Sequence, residues 1–183
     1  MSPHANPVDS FVDQFVEHWG MMARAWGINT SMGELFALLY VTGIDWTADD
    51  LKERLGVSRG NVSMNLRELV TWGVVHKVHQ PGERRELFRA ESDVWTLFRS
   101  ILRERKRREL DPTLRLLDAS ALESSADPTR RAIESRVEAL RHFFRTTDTL
   151  ASALLSLAPG ELDEIVQLLG QLDSRADRGE SGE

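Results

Sequence analysis

Arg59, Asn61, Ser63, Asn65 and Arg67 stand close together in the chain, and Lys77, Arg84 and Arg85 follow on either side of a Pro81-Gly82 turn. Side chains of these types offer positive charge and hydrogen-bond donors, and the chemistry they can do is recognition rather than bond-making. Guanidinium and ammonium groups meet phosphates or guanine edges, carboxamides meet adenine, and hydroxyls meet either. Ser58, just before the group, can cap a helix whose first amides face a phosphate. Gly60 would let such a helix approach closely, and Met64 could meet only a thymine methyl or pack over sugar. Arg84 and Arg85, beside a tight turn, are suited to a narrow minor groove or its phosphates.

Catalytic chemistry finds no such constellation. The chain has no cysteine, no Gly-rich phosphate loop and no G-x-S-x-G, and its five histidines lack metal-ligand spacing. No catalytic residue, metal or cofactor is therefore expected. Trp19, Met22 and Trp26 share one stripe of a helical pattern and, with Met21, Trp46, Trp72 and Trp95, could form part of an aromatic cage for a quaternary ammonium, although such a stripe also suits plain core packing. The cationic run from Arg103 to Arg108 reads as a solvated helix face or half of an ion-pair network.

These residues need elements to position them. Apolar residues from Val8 to Trp26 recur at 3- and 4-residue steps and predict a long amphipathic helix, followed by a second over about 31–41. Thr47 begins a third helix as its N-cap, with Asp49 and Asp50 in the first turn and Gly56 as its stop. Ser58 begins a fourth, which runs to about Trp72. On it Val62, Leu66 and Leu69 form a buried seam with Leu51, Leu55 and Val57, leaving Asn61, Met64 and Arg67 outward with Ser63 and Asn65 flanking. Residues 74–78 and 85–90 predict a hairpin around Gln80-Pro81-Gly82-Glu83. Helix, turn, helix and hairpin in that order predict a mainly α protein with a winged helix-turn-helix and a two-stranded wing.

Beyond it, helices are expected from Ser92 to about Leu122, with Asp111-Pro112 breaking or restarting the first, from Pro128 to Leu157, and from Pro159 onward. The seam Ile133, Val137, Leu140, Phe144, Thr147, Ala151 and Leu154 suits another helix. The expected division is an N-terminal dimerisation helix (1–30), a winged helix-turn-helix (31–92), a helical dimerisation region (93–173) and a disordered tail (174–183).

A net charge of −6 argues, taken whole, against nucleic acid. Its distribution argues the other way. Residues 47–110 hold 14 basic and 10 acidic side chains, net +4, between flanks of −4 and −6. A basic middle of this kind is the footprint of a phosphate contact. The absence of cysteine, of an apolar membrane span and of a signal-like N-terminus leads us to expect a cytoplasmic protein with no membrane partner.

The segments V-S-R-G-N-V-S-M-N-L-R-E-L (Val57 to Leu69), W-G-V-V (Trp72 to Val75), P-G-E-R (Pro81 to Arg84) and I-L-R-E-R (Ile101 to Arg105) resemble the MarR superfamily, most nearly its glycine-betaine-synthesis-regulator (GbsR-like) branch. The stretch L-A-P-G-E-L-D-E-I-V-Q-L-L (Leu157 to Leu169) is similar to the final helix of many such regulators. The resemblance implies a homodimer with interleaved terminal helices and two winged helices on a pseudo-palindromic operator. For branch members that handle osmoprotectants it also implies sensing of a small choline-like effector. Met64 departs from the family, where a polar or basic reader is usual, and this shifts base readout to Arg59, Asn61 and Asn65. The resulting expectation is a DNA-binding transcriptional repressor. The alternative is a winged helix that binds protein, a class that usually loses the basic wing. Arg84→Ala is expected to weaken binding to all DNA sequences alike and to flatten its salt dependence, as measured in a salt series. Unchanged binding would remove the wing from the interface.

Overall fold

In the computed structural model, Val12, Phe15, Val16, Trp19 and Ala23 turn inward from one side of helix α1 (Pro7–Ala25). Against them lies α2 (Thr30–Thr42), whose Leu35, Ala37, Leu38 and Leu39 have no exposed surface at all. A helix so apolar around its circumference has to be enclosed by others. It starts at Asn29, whose side chain accepts from the Met32 amide, and ends at left-handed Gly43. The described residues are 7–82, 85–119, 127–158, 160–161, 163–168 and 170. They belong to two compact units, Met1–Ile101 and Leu102–Glu183.

In the first unit the two opening helices touch almost backbone to backbone. A Cβ added to Gly33 would lie 2.5 Å from the Ala23 Cβ and 3.0 Å from the Trp19 carbonyl oxygen. Above this close crossing the rings of Phe15, Trp19, Phe36 and Tyr40 pack in succession, with centroid spacings of 5.0, 6.4 and 5.7 Å. The loop after α2 enters a short strand, β1 (Trp46–Thr47), which the sequence reading did not anticipate. Thr47 then caps α3 (Ala48–Leu55) as expected, in a reciprocal box with Asp50. Ser58 caps α4 (Arg59–Trp72) by accepting from the Asn61 amide, and α4 stops at left-handed Gly73.

The hairpin is made by β2 (Val75–Val78) and β3 (Leu87–Ala90). Because β1 pairs antiparallel on the other edge of β3, with Trp46 opposite Phe88, the sheet has three strands in the order β1-β3-β2. The hairpin is two-stranded, as expected, but the sheet that anchors it is not. Along β3 Leu87, Phe88 and Ala90 are all buried, and only Arg89 faces solvent. Helix α5 (Val94–Arg105) begins where the Asp93 side chain accepts from the Thr96 amide.

The second unit shows how the chain handles Pro112. Proline has no N–H for the carbonyl four residues back, and its ring crowds that carbonyl. The helix neither breaks nor restarts. It widens to a π turn over Lys106–Leu110 and continues as α6 (Asp111–Ala119). The cationic run is an ion-pair network here: Arg105 meets Glu109 at 2.8 Å, Arg107 meets Glu104 at 2.9 Å, and Lys106 meets both Asp111 and Asp148 at 2.7 Å. The Arg107 and Arg108 guanidiniums hold the Glu104 carboxyl below its ordinary range. Helix α7 (Pro128–Ser156) packs on α6, and its Arg141 donates to the Leu117 carbonyl at 2.7 Å. Residues 160–161 and 163–168 are helical, in line with the expected last helix. Residues 120–126 and the tail expected at 174–183 lie outside the described residues. Among the described residues no helix is long and apolar enough to cross a membrane.

The glycines make opposite predictions. Gly33→Ala places a methyl where neither Ala23 nor the Trp19 backbone can retreat, so strain of about 1–3 kcal/mol outweighs the gain in helix propensity. A Cβ at Gly60 meets nothing within 4 Å. There Gly60→Ala is expected to stabilise by up to about 1 kcal/mol. Urea unfolding of both variants checks the two signs.

Candidate nucleic-acid interface

The seam on α4 is as expected: Val62, Leu66 and Leu69 are buried with Leu51, Val74 and Val75. The remaining side of α4 and the wing enclose a cleft of about 610 Å³. Arg59, Ser63, Arg67, Lys77 and Arg85, all expected readers, line it together with Thr71. Ser58, Gly60, Asn61 and Met64 lie on the same helix but outside that lining, and Ser58, Gly60 and Met64 are exposed. Arg84 lies outside the described residues.

Asn65 corrects the sequence reading. It was expected at the flank, in reach of a base, yet it is only 3% exposed. At about 100° per residue, position 65 falls a few tens of degrees beyond Leu69, inside a buried face broader than the three-residue seam. Its Nδ2 donates to Asn61 Oδ1 at 2.8 Å. Asn65 therefore cannot touch DNA, whereas half-buried Asn61 can.

The cleft also holds two carboxylates that the sequence reading left out, Asp49 and Glu86. Asp49 pairs with Arg59, and Glu86 sits 2.7 Å from the Lys77 ammonium. Arg67 donates through Nε to the Ser63 carbonyl at 3.2 Å, which holds its guanidinium along the helix. The sign of Asp49 was in the sequence, but its reach to Arg59 depends on the angle between α3 and α4. Exposed pairs of this kind are worth about 0–1 kcal/mol, so an arriving phosphate can compete with them.

Asp45 fixes the base of the wing. Only 8% of its side chain is exposed. It accepts from Arg89 Nε at 2.6 Å and Nη2 at 2.8 Å, and from Gln80 Nε2 at 2.8 Å. One carboxylate thereby ties β3 and the start of the turn to the loop before β1. The Arg89 guanidinium, followed by the Gln80 amide, holds the Asp45 carboxyl below its ordinary value near 3.8, against the opposing effect of burial.

A second concavity lies within the first unit. The three expected ligand residues, Trp19, Met22 and Trp26, border one apolar cavity of about 80 Å³ with Met32, Phe36, Trp72 and Ile101. Trp26 is 56% exposed, so it is not the core residue that its stripe suggested. Trp72 supplies a third indole, from the far end of α4. No lining side chain carries a charge. Among the described residues no group of three or more His, Asp or Glu could hold a metal.

Because the folded Asp45 value is depressed, its contribution to stability is present above the ordinary carboxylate value and is lost as pH falls through and below it. Asp45→Asn is therefore expected to unfold at lower urea than wild type at about pH 7. The gap should close as pH drops through the acid range, which paired unfolding curves measure.

Residues 26–86 match the family model described as MarR family. The HTH-type transcriptional repressor GbsR of Bacillus subtilis is 28% identical over 60% of this chain and 60% of its own length. The HTH-type transcriptional repressor OpcR of the same organism is 24% identical over 49% of this chain and 48% of its own length. The chain thus spans about half to three fifths of the length of these relatives. A solved structure titled only as a transcriptional regulator shares the fold, with a TM-score of 0.59 at 23% identity, over 84% of this chain and 99% of that one.

Proposed function

We propose that this chain, whose residues 26–86 match the MarR family model, regulates transcription by sequence-specific binding to operator DNA, most simply as a repressor that blocks polymerase. The observation that carries this is the cleft between α4 and the wing, where Arg59, Arg67, Lys77 and Arg85 face two carboxylates already engaged by two of them. Phosphates that displaced Asp49 and Glu86 would gain pre-positioned cations. The curated relatives named as repressors support the same reading.

The chain acts as a homodimer in this proposal, through helices at both ends. Val8 and Phe11 on α1 are exposed, as are Ile133, Leu140, Phe143 and Leu150 on α7. Apolar surface of that kind on a soluble chain asks for a partner. Two copies would present two recognition helices to half-sites about one DNA turn apart. A small apolar or cationic effector held by the cavity of Trp19, Met22, Trp26 and Trp72 would act by changing the spacing of those helices.

Fluorescence anisotropy with a duplex of about 30 base pairs, titrated across salt, tests the DNA reading. Affinity should fall steeply with salt, and Arg59→Ala and Arg67→Ala should each reduce the log–log slope by about one. Salt-independent binding, or none, would reject it. Sedimentation should give the mass of two 20.7 kDa chains.

A further inference from the structure

Helix α4 carries a polar side chain that the DNA contact does not use. Asn65 is 3% exposed, in a helix where every other buried side chain is aliphatic. A carboxamide in such a place costs free energy unless it is bonded. Its bond is to Asn61, one turn nearer the helix start. We propose that Asn65 is a positioning residue that turns the Asn61 carboxamide so that its N–H donors face the major groove, which sets the base preference at one operator position. This rests on the DNA-binding reading above.

The chemistry follows from what each amide edge can do. Asn65 Nδ2 donates to Asn61 Oδ1 at 2.8 Å, so the Asn61 oxygen is turned toward Asn65. Both N–H groups of Asn61 Nδ2 remain for an outside partner. An asparagine that reads adenine needs its oxygen and its nitrogen outward together, one for N6 and one for N7. Asn61 in this arrangement offers donors alone. Donors match the keto bases best, guanine through O6 with N7 and thymine through O4; adenine offers N7 alone beside an opposing amino donor, and cytosine offers only a donor. The expected adenine contact is thereby replaced by a keto-base contact. A bare helix surface could not make this choice, because a free carboxamide rotates to suit either class of base.

Two substitutions separate positioning from mere packing. Asn65→Asp presents acceptors alone, so Asn61 has to donate inward and turn its oxygen out. Preference at that position should then move from G or T to A or C on the contacted strand. Asn65→Leu keeps the volume and removes the partner. It should retain non-specific affinity and stability, and lose about tenfold of the discrimination at that one position.

The experiment selects operators from random-sequence duplexes with the full-length wild-type chain. All four bases are then titrated at each position of the selected site, for wild type, Asn61→Ala, Asn65→Asp and Asn65→Leu. A keto preference in wild type that Asn61→Ala abolishes, Asn65→Leu flattens and Asn65→Asp inverts supports the inference. If wild type selects a site and both Asn65 variants keep its base preferences at every position, the inference is overturned and the DNA reading stands. If wild type enriches no sequence, both fall. Should Asn65→Asp fail to fold, Asn65→Leu decides by flattening or preserving the preference.

Discussion

Val62, Leu66 and Leu69 are shut away from water between α4, α2 and α3, and this burial fixes what α4 can show to anything outside. A helix advances about 100° per residue, so once three positions are committed to the core the orientation of every other is determined. Arg59, Ser63 and Arg67 come to face the wing, Asn65 is drawn inside, and Asn61 is left at the margin. The burial is possible because α2 has apolar surface to give on all sides, and because Gly33 lets α1 lie close against it. The proposed recognition surface is thus a by-product of core packing, with caps at Ser58 and Gly73 setting where the helix begins and ends.

Electrostatics then tunes that surface. Arg59 and Lys77 each hold a carboxylate in the unbound protein, so the cleft is locally compensated while its cations stay in place. The carboxylate of Asp45 acts differently. It is largely buried and accepts three hydrogen bonds, and it fastens the wing's base rather than competing for DNA. Exposed pairs exchange readily, whereas a buried and multiply bonded carboxylate does not. The cleft therefore combines exposed, replaceable ion pairs with a multiply bonded root.

Much of this was legible in the residues. Thr47, Gly56, Ser58 and Gly73 mark helix ends by local chemistry, and the structure has all four as caps. The apolar seam of α4 and the turn at Pro81-Gly82 follow from periodicity and backbone preference alone. What escaped depends on tertiary geometry. Trp46–Thr47 is too short to register as a strand until β3 lies beside it. Asn65 counts as polar in any pattern, and only the breadth of the buried face draws it in. The approach of Asp49 to Arg59 depends on how α3 crosses α4. Pro112 signals a helix disturbance, but whether the chain breaks or widens depends on the contacts that hold the following turn.

The central claim is that the surface formed by α4 and the wing discriminates among DNA sequences. Capture of sheared genomic fragments by the full-length chain at physiological salt, followed by sequencing, tests it most directly. The account predicts enrichment of a few fragments that share an inverted repeat with half-sites about one helical turn apart. Recovery of fragments in proportion to their abundance in bulk DNA would contradict it.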